Sequence, residues 1–392
     1  MLTKPQEDLY AFTEADMLKA AKQYSSPCFV YSLGMARYRY RRLRAALPAR
    51  VRLAYAVKSN PGAPLLETFA REGAWFDCAS AGEISAVLGA GGTGSAMVVA
   101  GPAKTHRDLQ AALYAGARVQ VDGIEDVARL NELHTEEAPL RVSVRVHPAS
   151  GIVEGASIIG GSGPSAFGVD EEQLDEFLQM AAAYDGVRIT GLQVFAASNE
   201  LDPGQLLANH RTALRIAKGM YERHGIDLEL IDIGGGLGVR YAANEPSLDI
   251  HALASGLGRL LDANPWFAGE LLLEPGRWLS APTGIYLTRV VRVKESRGVR
   301  FAMLEGGINH LLRPLLTGQP FPVTALDREG DTTSYTLAGP LCTSLDRVGT
   351  AELPVDLQAG DVLAFGQTGA YAYTQAMSNF LSHPVPDQHW WD

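Results

Sequence analysis

Lys58 stands in the stretch Tyr55-Ala56-Val57-Lys58-Ser59-Asn60, at the end of a mostly apolar run from Val51 to Val57 that reads as a buried parallel strand. An ammonium there is desolvated at the mouth of a sheet or barrel, which lowers its proton affinity and lets the amine attack a carbonyl. The competing reading is a lysine that snorkels to solvent from a strand end. Two more stretches bear on the choice. Gly234-Gly235-Gly236 can turn backbone N–H groups toward an anion, although any tight turn would use them. Glu274-Pro275-Gly276-Arg277 brings a carboxylate and a guanidinium within four residues, and the guanidinium suits a phosphate. Taken alone, Glu274 reads equally well as a structural salt-bridge residue.

These residues need elements to position them. Apolar runs recur at Leu53–Val57, Trp75–Ala79, Met97–Gly101, Val119–Asp122, Val142–Val146, Ile189–Phe195, Leu230–Ile233 and Leu271–Glu274. Between most of them lie helical patterns such as Pro64–Glu72, Ala81–Leu88, Arg107–Ala115 and Leu206–His224. Eight strands alternating with helices predict an α/β fold of the (β/α)8, TIM-barrel type, with the site at the C-terminal strand ends. A doubly wound open sheet is the alternative. In the barrel, Lys58 ends the first strand, Asp77 the second, Arg145 the fifth and Phe195 the sixth. The three glycines follow the seventh, and Glu274 to Arg277 end the eighth, where barrels often bind phosphate. An amine, a phosphate site and a carboxylate able to keep a ring nitrogen protonated together suit pyridoxal phosphate.

After Pro282 the texture changes to β-branched runs at Gly284–Val293, Arg300–Leu304, Ser334–Ala338 and Asp361–Phe365, with no clear helix until Thr374–Leu381. This predicts a C-terminal all-β domain over 282–392, a barrel over 33–281, and an N-terminal segment, 1–32, that joins the β-domain. Within that segment Glu14–Gln23 reads as a helix and Cys28–Ser32 as a strand, and Leu33–Leu47 is a helix leading to the lysine strand. The 392 residues are 46% hydrophobic and carry a net charge of −10, which argues against nucleic acid and for a small-molecule partner. Three widely spaced cysteines form no disulfide or zinc pattern, and no run is long enough to span a membrane. A cytoplasmic enzyme is the expectation.

Seven stretches occur in one order over nearly the whole chain: 55–60, Phe76 to Glu83, Gly101 to Thr105, Ile233 to Gly238, Glu274 to Arg277, Gly339-Pro340-Leu341-Cys342-Thr343-Ser344-Leu345-Asp346, and Gly369-Ala370-Tyr371. Together they resemble the ornithine/diaminopimelate/arginine decarboxylase family, pyridoxal-phosphate enzymes of fold type III with an alanine-racemase-like barrel and a β-domain. The resemblance implies that Lys58 carries the cofactor as an imine with Asp77 nearby, and that Arg145 approaches the phenolic side of the ring. It gives Ser198, Gly235, Gly236, Gly276, Arg277 and Tyr371 to the phosphate and Glu274 to the pyridine nitrogen. Cys342 becomes the proton donor to Cα. Cys342 and Asp346 would arrive from the second subunit of a homodimer.

The chain departs from the family pattern in places. Phe195-Ala196-Ala197-Ser198 stands where a ring-stacking histidine is usual, so a stacking face is kept and a polar role lost. Ser165-Ala166-Phe167-Gly168 lacks the usual lysine. Thr343 replaces the acidic residue that pairs with a basic substrate's distal ammonium. The stretch from Glu305 through His310 to Arg313-Pro314 resembles the diaminopimelate-decarboxylase segment whose arginine grips a distal carboxylate. The competing reading pairs Arg313 with a surface carboxylate. Together with the ending Phe380 to Pro384, these features point to a specialised branch acting on a citrate-conjugated diamino acid of siderophore assembly. A glutamyl unit on a carrier protein is the runner-up, and diaminopimelate is a further alternative. An epimerase and a non-catalytic regulatory relative are the readings from other classes.

Overall fold

The computed structural model describes residues 9–150, 163–195 and 197–392, and two compact units divide them. One is formed by Arg39–Gly238 with Leu248–Gly276. The other is formed by the chain up to Tyr38, Val239–Ser247 and Arg277–Asp392.

The first unit is the eight-stranded parallel barrel. Its strands are Val51–Ala56, Trp75–Cys78, Met97–Val99, Arg118–Val121, Leu140–His147, Val187–Gln193, Leu230–Asp232 and Glu270–Leu273. Each pairs with the next, and Glu270–Leu273 pairs back with Val51–Ala56, which closes the sheet and excludes the open alternative. Helix ends follow local signals. His106–Ala115 opens on a capping box between Thr105 and Asp108 and stops at left-handed Gly116, and Pro203–His224 opens on Asp202 and Pro203 and stops at left-handed Gly225.

Strand residues two apart share a face. Ala54, Val98, Leu230 and Leu272 form a fully or nearly fully buried apolar layer inside the barrel, with Trp75 packed against it. One step of two toward the C-terminal ends replaces Trp75 by Asp77, Leu230 by Asp232 and Leu272 by Glu274, all three buried. Thus the barrel has an apolar floor and an acidic rim. Truncating Leu272 to Ala would cost about 2–5 kcal/mol through lost burial and the cavity left behind.

In the second unit the thirteen-residue strand Gly284–Ser296 is central and pairs with Cys28–Ser32, Val299–Leu304 and Val362–Phe365. Cys28–Ser32 also pairs in parallel with Asp387–Trp391. Its core joins Tyr10, Phe12, Met17, Val30, Ile285, Leu287 and Ala364. Two expectations fail here. Thr374–Leu381 is no helix; it holds single 3-10 turns at Tyr373–Gln375 and Phe380–Ser382, with Leu381 and Ser382 at positive φ. Eight residues containing Ser378 and Asn379 are too short and too weakly helix-forming to sustain an α-helix without a packed face. Conversely, Arg313–Thr317 is a short helix, with Pro314 in its first turn and left-handed Gly318 after it.

Candidate active site

Lys58 lies just past its strand, in the 3-10 turn Val57–Ser59. Fully buried Tyr55 braces this turn from beneath, its hydroxyl donating to the Asn60 carbonyl at 2.9 Å and accepting from Ser59 Oγ at 3.0 Å. Lys58 Nζ donates to Asp77 Oδ2 at 2.6 Å; the lysine side chain is 38% exposed and the aspartate 2%. The amine therefore stays reachable while its counter-ion is buried. Asp77 Oδ1 has no partner among the described residues, and neither has Glu274 Oε1.

Glu274 is hydrogen-bonded to Asp232, a residue that the sequence pattern did not single out. Gln120 Nε2 donates to Asp232 Oδ2 at 2.5 Å and Gly234 N to Oδ1 at 2.9 Å. Burial, then the Glu274 charge, drives the Asp232 carboxyl well above the ordinary carboxylate range, so Asp232 keeps the proton and hydrogen-bonds Glu274. Burial, then Asp77, also raises Glu274, while Asp232, Lys58 and Arg145 oppose the rise. With Asp232 neutral, the carboxylates Asp77 and Glu274 thus face Lys58 and Arg145 at the rim, and Glu274 Oε1, without a partner among the described residues, can accept a further N–H donor.

None of the three glycines after Leu230–Asp232 has room for a side chain. Gly234 and Gly236 take φ of 68° and 90°, and a Cβ on Gly235 would sit 2.3 Å from the Glu274 carbonyl oxygen. Phe195 lies beside this turn, its Cδ2 3.1 Å from where a Gly234 Cβ would be. Glu200 N donates to Gly236 O, which laces the segment carrying Ser198 to the same turn. A Cβ on Gly276 would sit 3.0 Å from the Ala56 Cβ and 3.1 Å from the Ser59 Cβ, so a glycine lets this strand end close on the lysine turn. Arg145 is buried, its guanidinium 4.5 Å from the Phe167 ring centre. Gly168 backs onto Arg145 and donates to Asp122, which is held with Asp126 by buried Lys104 at 2.6 and 2.9 Å. The barrel thus brings Lys58, Asp77, Arg145, Phe195, Ser198, Gly235, Gly236, Glu274 and Gly276 to its C-terminal rim.

The β-unit gathers the other predicted residues in two groups. Arg277 donates to the Tyr241 hydroxyl at 2.8 Å and lies 4.6 Å from the Tyr371 ring centre. Arg313, 3% exposed, donates from Nη2 to Gln319 Oε1 at 2.7 Å and leaves buried Nη1 without a partner among the described residues. Arg313 is therefore not a surface residue, and among the described residues it is paired with no carboxylate. In the second group, buried Asp346 accepts from Ile308 N and Leu341 N, both at 2.7 Å, tying the segment before His310 to the Cys342 loop. His310 is buried, with Nδ1 2.8 Å from the Tyr286 hydroxyl and Nε2 3.2 Å from the Pro384 carbonyl. Burial pushes it down to about 4, so it stays neutral, with both ring nitrogens engaged inside the unit. Cys342 is exposed, and the Thr343 hydroxyl accepts from Leu345 N.

Residues 33–281 match the family model described as "Pyridoxal-dependent decarboxylase, pyridoxal binding domain". A diaminopimelate decarboxylase from Methanothermobacter thermautotrophicus is 33% identical over 95% of this chain and 88% of its own. A 2-[(L-alanin-3-ylcarbamoyl)methyl]-2-hydroxybutanedioate decarboxylase from Staphylococcus aureus is 28% identical over 95% and 96%. An L-glutamyl-[BtrI acyl-carrier protein] decarboxylase from Niallia circulans is 26% identical over 95% and 90%.

Proposed function

The chain belongs to the pyridoxal-dependent decarboxylase family, and from that premise we propose that it removes the α-carboxylate of an amino-acid conjugate carrying a distal carboxylate and no free distal amine. As a member it is a carboxy-lyase with pyridoxal phosphate as cofactor. The proposal concerns its substrate. One observation carries it: Arg313 is buried and its Nη1 has no partner among the described residues, which suits an anionic ligand, while the position after Cys342 holds the uncharged Thr343. A carboxylate satisfies the first, and a free ammonium would have no counter-ion at the second. A citrate-conjugated diamino acid of siderophore assembly meets both conditions, and the Staphylococcus relative acts on a hydroxybutanedioate joined by an amide to an alanine unit.

The residues fit the cofactor. Glu274 Oε1, without a partner among the described residues, suits a protonated ring nitrogen, and the glycine turn suits a phosphate. When bound, pyridoxal phosphate supplies the electron sink for the charge left at Cα as carbon dioxide departs. We assign Lys58 to hold it, with Asp77 orienting Nζ, Glu274 Oε1 to the ring nitrogen, Arg145 to the phenolic side and Phe195 to a ring face. Ser198, Gly235, Gly236, Gly276, Arg277 and Tyr371 take the phosphate. The Cys342 thiol delivers the proton to Cα, and Arg313 grips the distal carboxylate. Asp346 and His310, engaged internally, act through the loops they tie. We place Cys342 in the partner's site of a cytoplasmic homodimer, which agrees with its exposure.

The Niallia relative favours a second reading, a carrier-bound glutamyl substrate, and the Methanothermobacter relative favours free diaminopimelate. Carbon dioxide release against matched citryl-diamino acids, carrier-bound glutamate, diaminopimelate, ornithine and lysine separates them. Free ornithine, lysine or diaminopimelate turned over at a kcat/KM of about 10⁴ M⁻¹s⁻¹ or more would overturn the proposal.

A further inference from the structure

The segment Val239–Ser247 follows the glycine turn of the barrel yet belongs to the β-unit, and it delivers Tyr241 there, 4% exposed. Its backbone N–H is pinned to Glu245 Oε2 at 2.6 Å. Its hydroxyl accepts from Arg277 Nη1 at 2.8 Å. The Arg313 guanidinium lies 4.4 Å from its ring centre and that of Arg277 5.9 Å, while Phe321 meets the ring edge-on. Two guanidiniums therefore share one phenol, and the Arg277 charge acts on Arg313. Like charges this close in a poorly solvated site repel unless each faces an anion. Burial, with Arg277 pushing the same way, holds the proton affinity of Arg313 below its ordinary value.

We propose that Tyr241 is a positioning residue that sets the spacing between the anion held at Arg277 and the carboxylate held at Arg313, and so the reach of the substrate the enzyme accepts. The inference rests on the reading of Arg313 as a carboxylate clamp. The two ends of the phenol act separately: the hydroxyl fixes Arg277, and the ring face supports Arg313. Removing the hydroxyl should loosen the first alone, and removing the ring should loosen both.

The test uses holoenzyme carrying Tyr241→Phe, Tyr241→Leu or Arg313→Gln. Cofactor release is followed by loss of the visible absorption band, and glutarate, a five-carbon dicarboxylate, is titrated into each holoenzyme by calorimetry. Tyr241→Phe should release cofactor about tenfold more readily, from the lost hydrogen bond to a charged group, and bind glutarate as the parent does. Tyr241→Leu should in addition bind glutarate about tenfold more weakly, from the lost cation–π contact. Arg313→Gln should weaken glutarate alone. If Arg313→Gln abolishes glutarate binding while Tyr241→Leu leaves it intact, the positioning role is wrong and the clamp stands. If glutarate binding is indifferent to Arg313→Gln, the clamp is wrong and the inference falls with it. Should Tyr241→Leu fail to fold, unchanged cofactor release in Tyr241→Phe overturns the proposal by itself.

Discussion

Gly235→Ala tests whether the acidic rim and the glycine turn are one built unit. The new Cβ would sit 2.3 Å from the Glu274 carbonyl oxygen and 3.2 Å from its carbonyl carbon. Ordinary contact needs roughly another 1 Å, and both partners are backbone, so the end of Glu270–Leu273 and the glycine turn must separate. That overpacking costs about 1–3 kcal/mol, and the Glu274 N to Gly234 O hydrogen bond at 2.9 Å is strained with it, adding about 1 kcal/mol. Thermal unfolding of the apo-protein should therefore fall by roughly 5–10 °C. Cofactor affinity should drop more than about tenfold, because the displaced residue is Glu274 itself. Gly225→Ala is the control: this glycine is left-handed at φ 63° but has nothing within 4 Å of a built Cβ, so it reports backbone strain without crowding. A Gly235→Ala protein with parental melting temperature and cofactor affinity would refute the close-packed rim.

Lys58→Ala should abolish turnover and the visible absorption band while leaving the fold intact, since the side chain is 38% exposed and lies outside the apolar core; far-ultraviolet circular dichroism and a carbon dioxide assay read both. Cys342→Ala should slow turnover by roughly 10²–10⁴-fold, and mixing it with Lys58→Ala should restore part of the activity through heterodimers; no recovery after demonstrated subunit exchange would keep the cysteine within its own chain. Stability should fall with pH in a defined window. Burial pushes His310 down to about 4 and His210 to about 3, against 6.5 for the free side chain, so below about pH 6.5 the unfolded chain binds protons that the folded chain refuses. The stability is fully present above about 6.5 and declines toward 4, by up to about 3 kcal/mol for His310. His310→Gln should flatten that slope in melts taken across the window.

The barrel was legible because a strand buried on both faces is a continuous apolar run, and all eight ends fall within two residues of expectation. The same physics hid two strands of the β-unit. Val323–Ala325 has three residues, and Arg347–Pro354 mixes Gly349, Thr350 and Glu352 with its apolar positions, so neither rises above loop texture. Lys58, Asp77, Glu274 and Gly235 were readable as strand ends. Asp232 was not singled out, although the alternation from Leu230 toward Glu274's neighbouring strand placed it on the inner face. Lys104 was visible only as part of a motif, since its partners Asp122 and Asp126 lie about twenty residues on. Tyr241 could not be found from pattern at all: the chain's passage from the glycine turn into the β-unit is a tertiary fact.

The central claim is that this decarboxylase selects a distal anion through Arg313. Steady-state kinetics on one citryl-diamino acid and on its analogue with both carboxylates of the citryl unit capped as amides test it most directly. The account predicts that capping raises KM by about 10²-fold, as expected for two lost charge-assisted hydrogen bonds, and that Arg313→Gln erases the difference between the two compounds. Equal KM for both compounds with the parent enzyme, or an undiminished preference in Arg313→Gln, would contradict it.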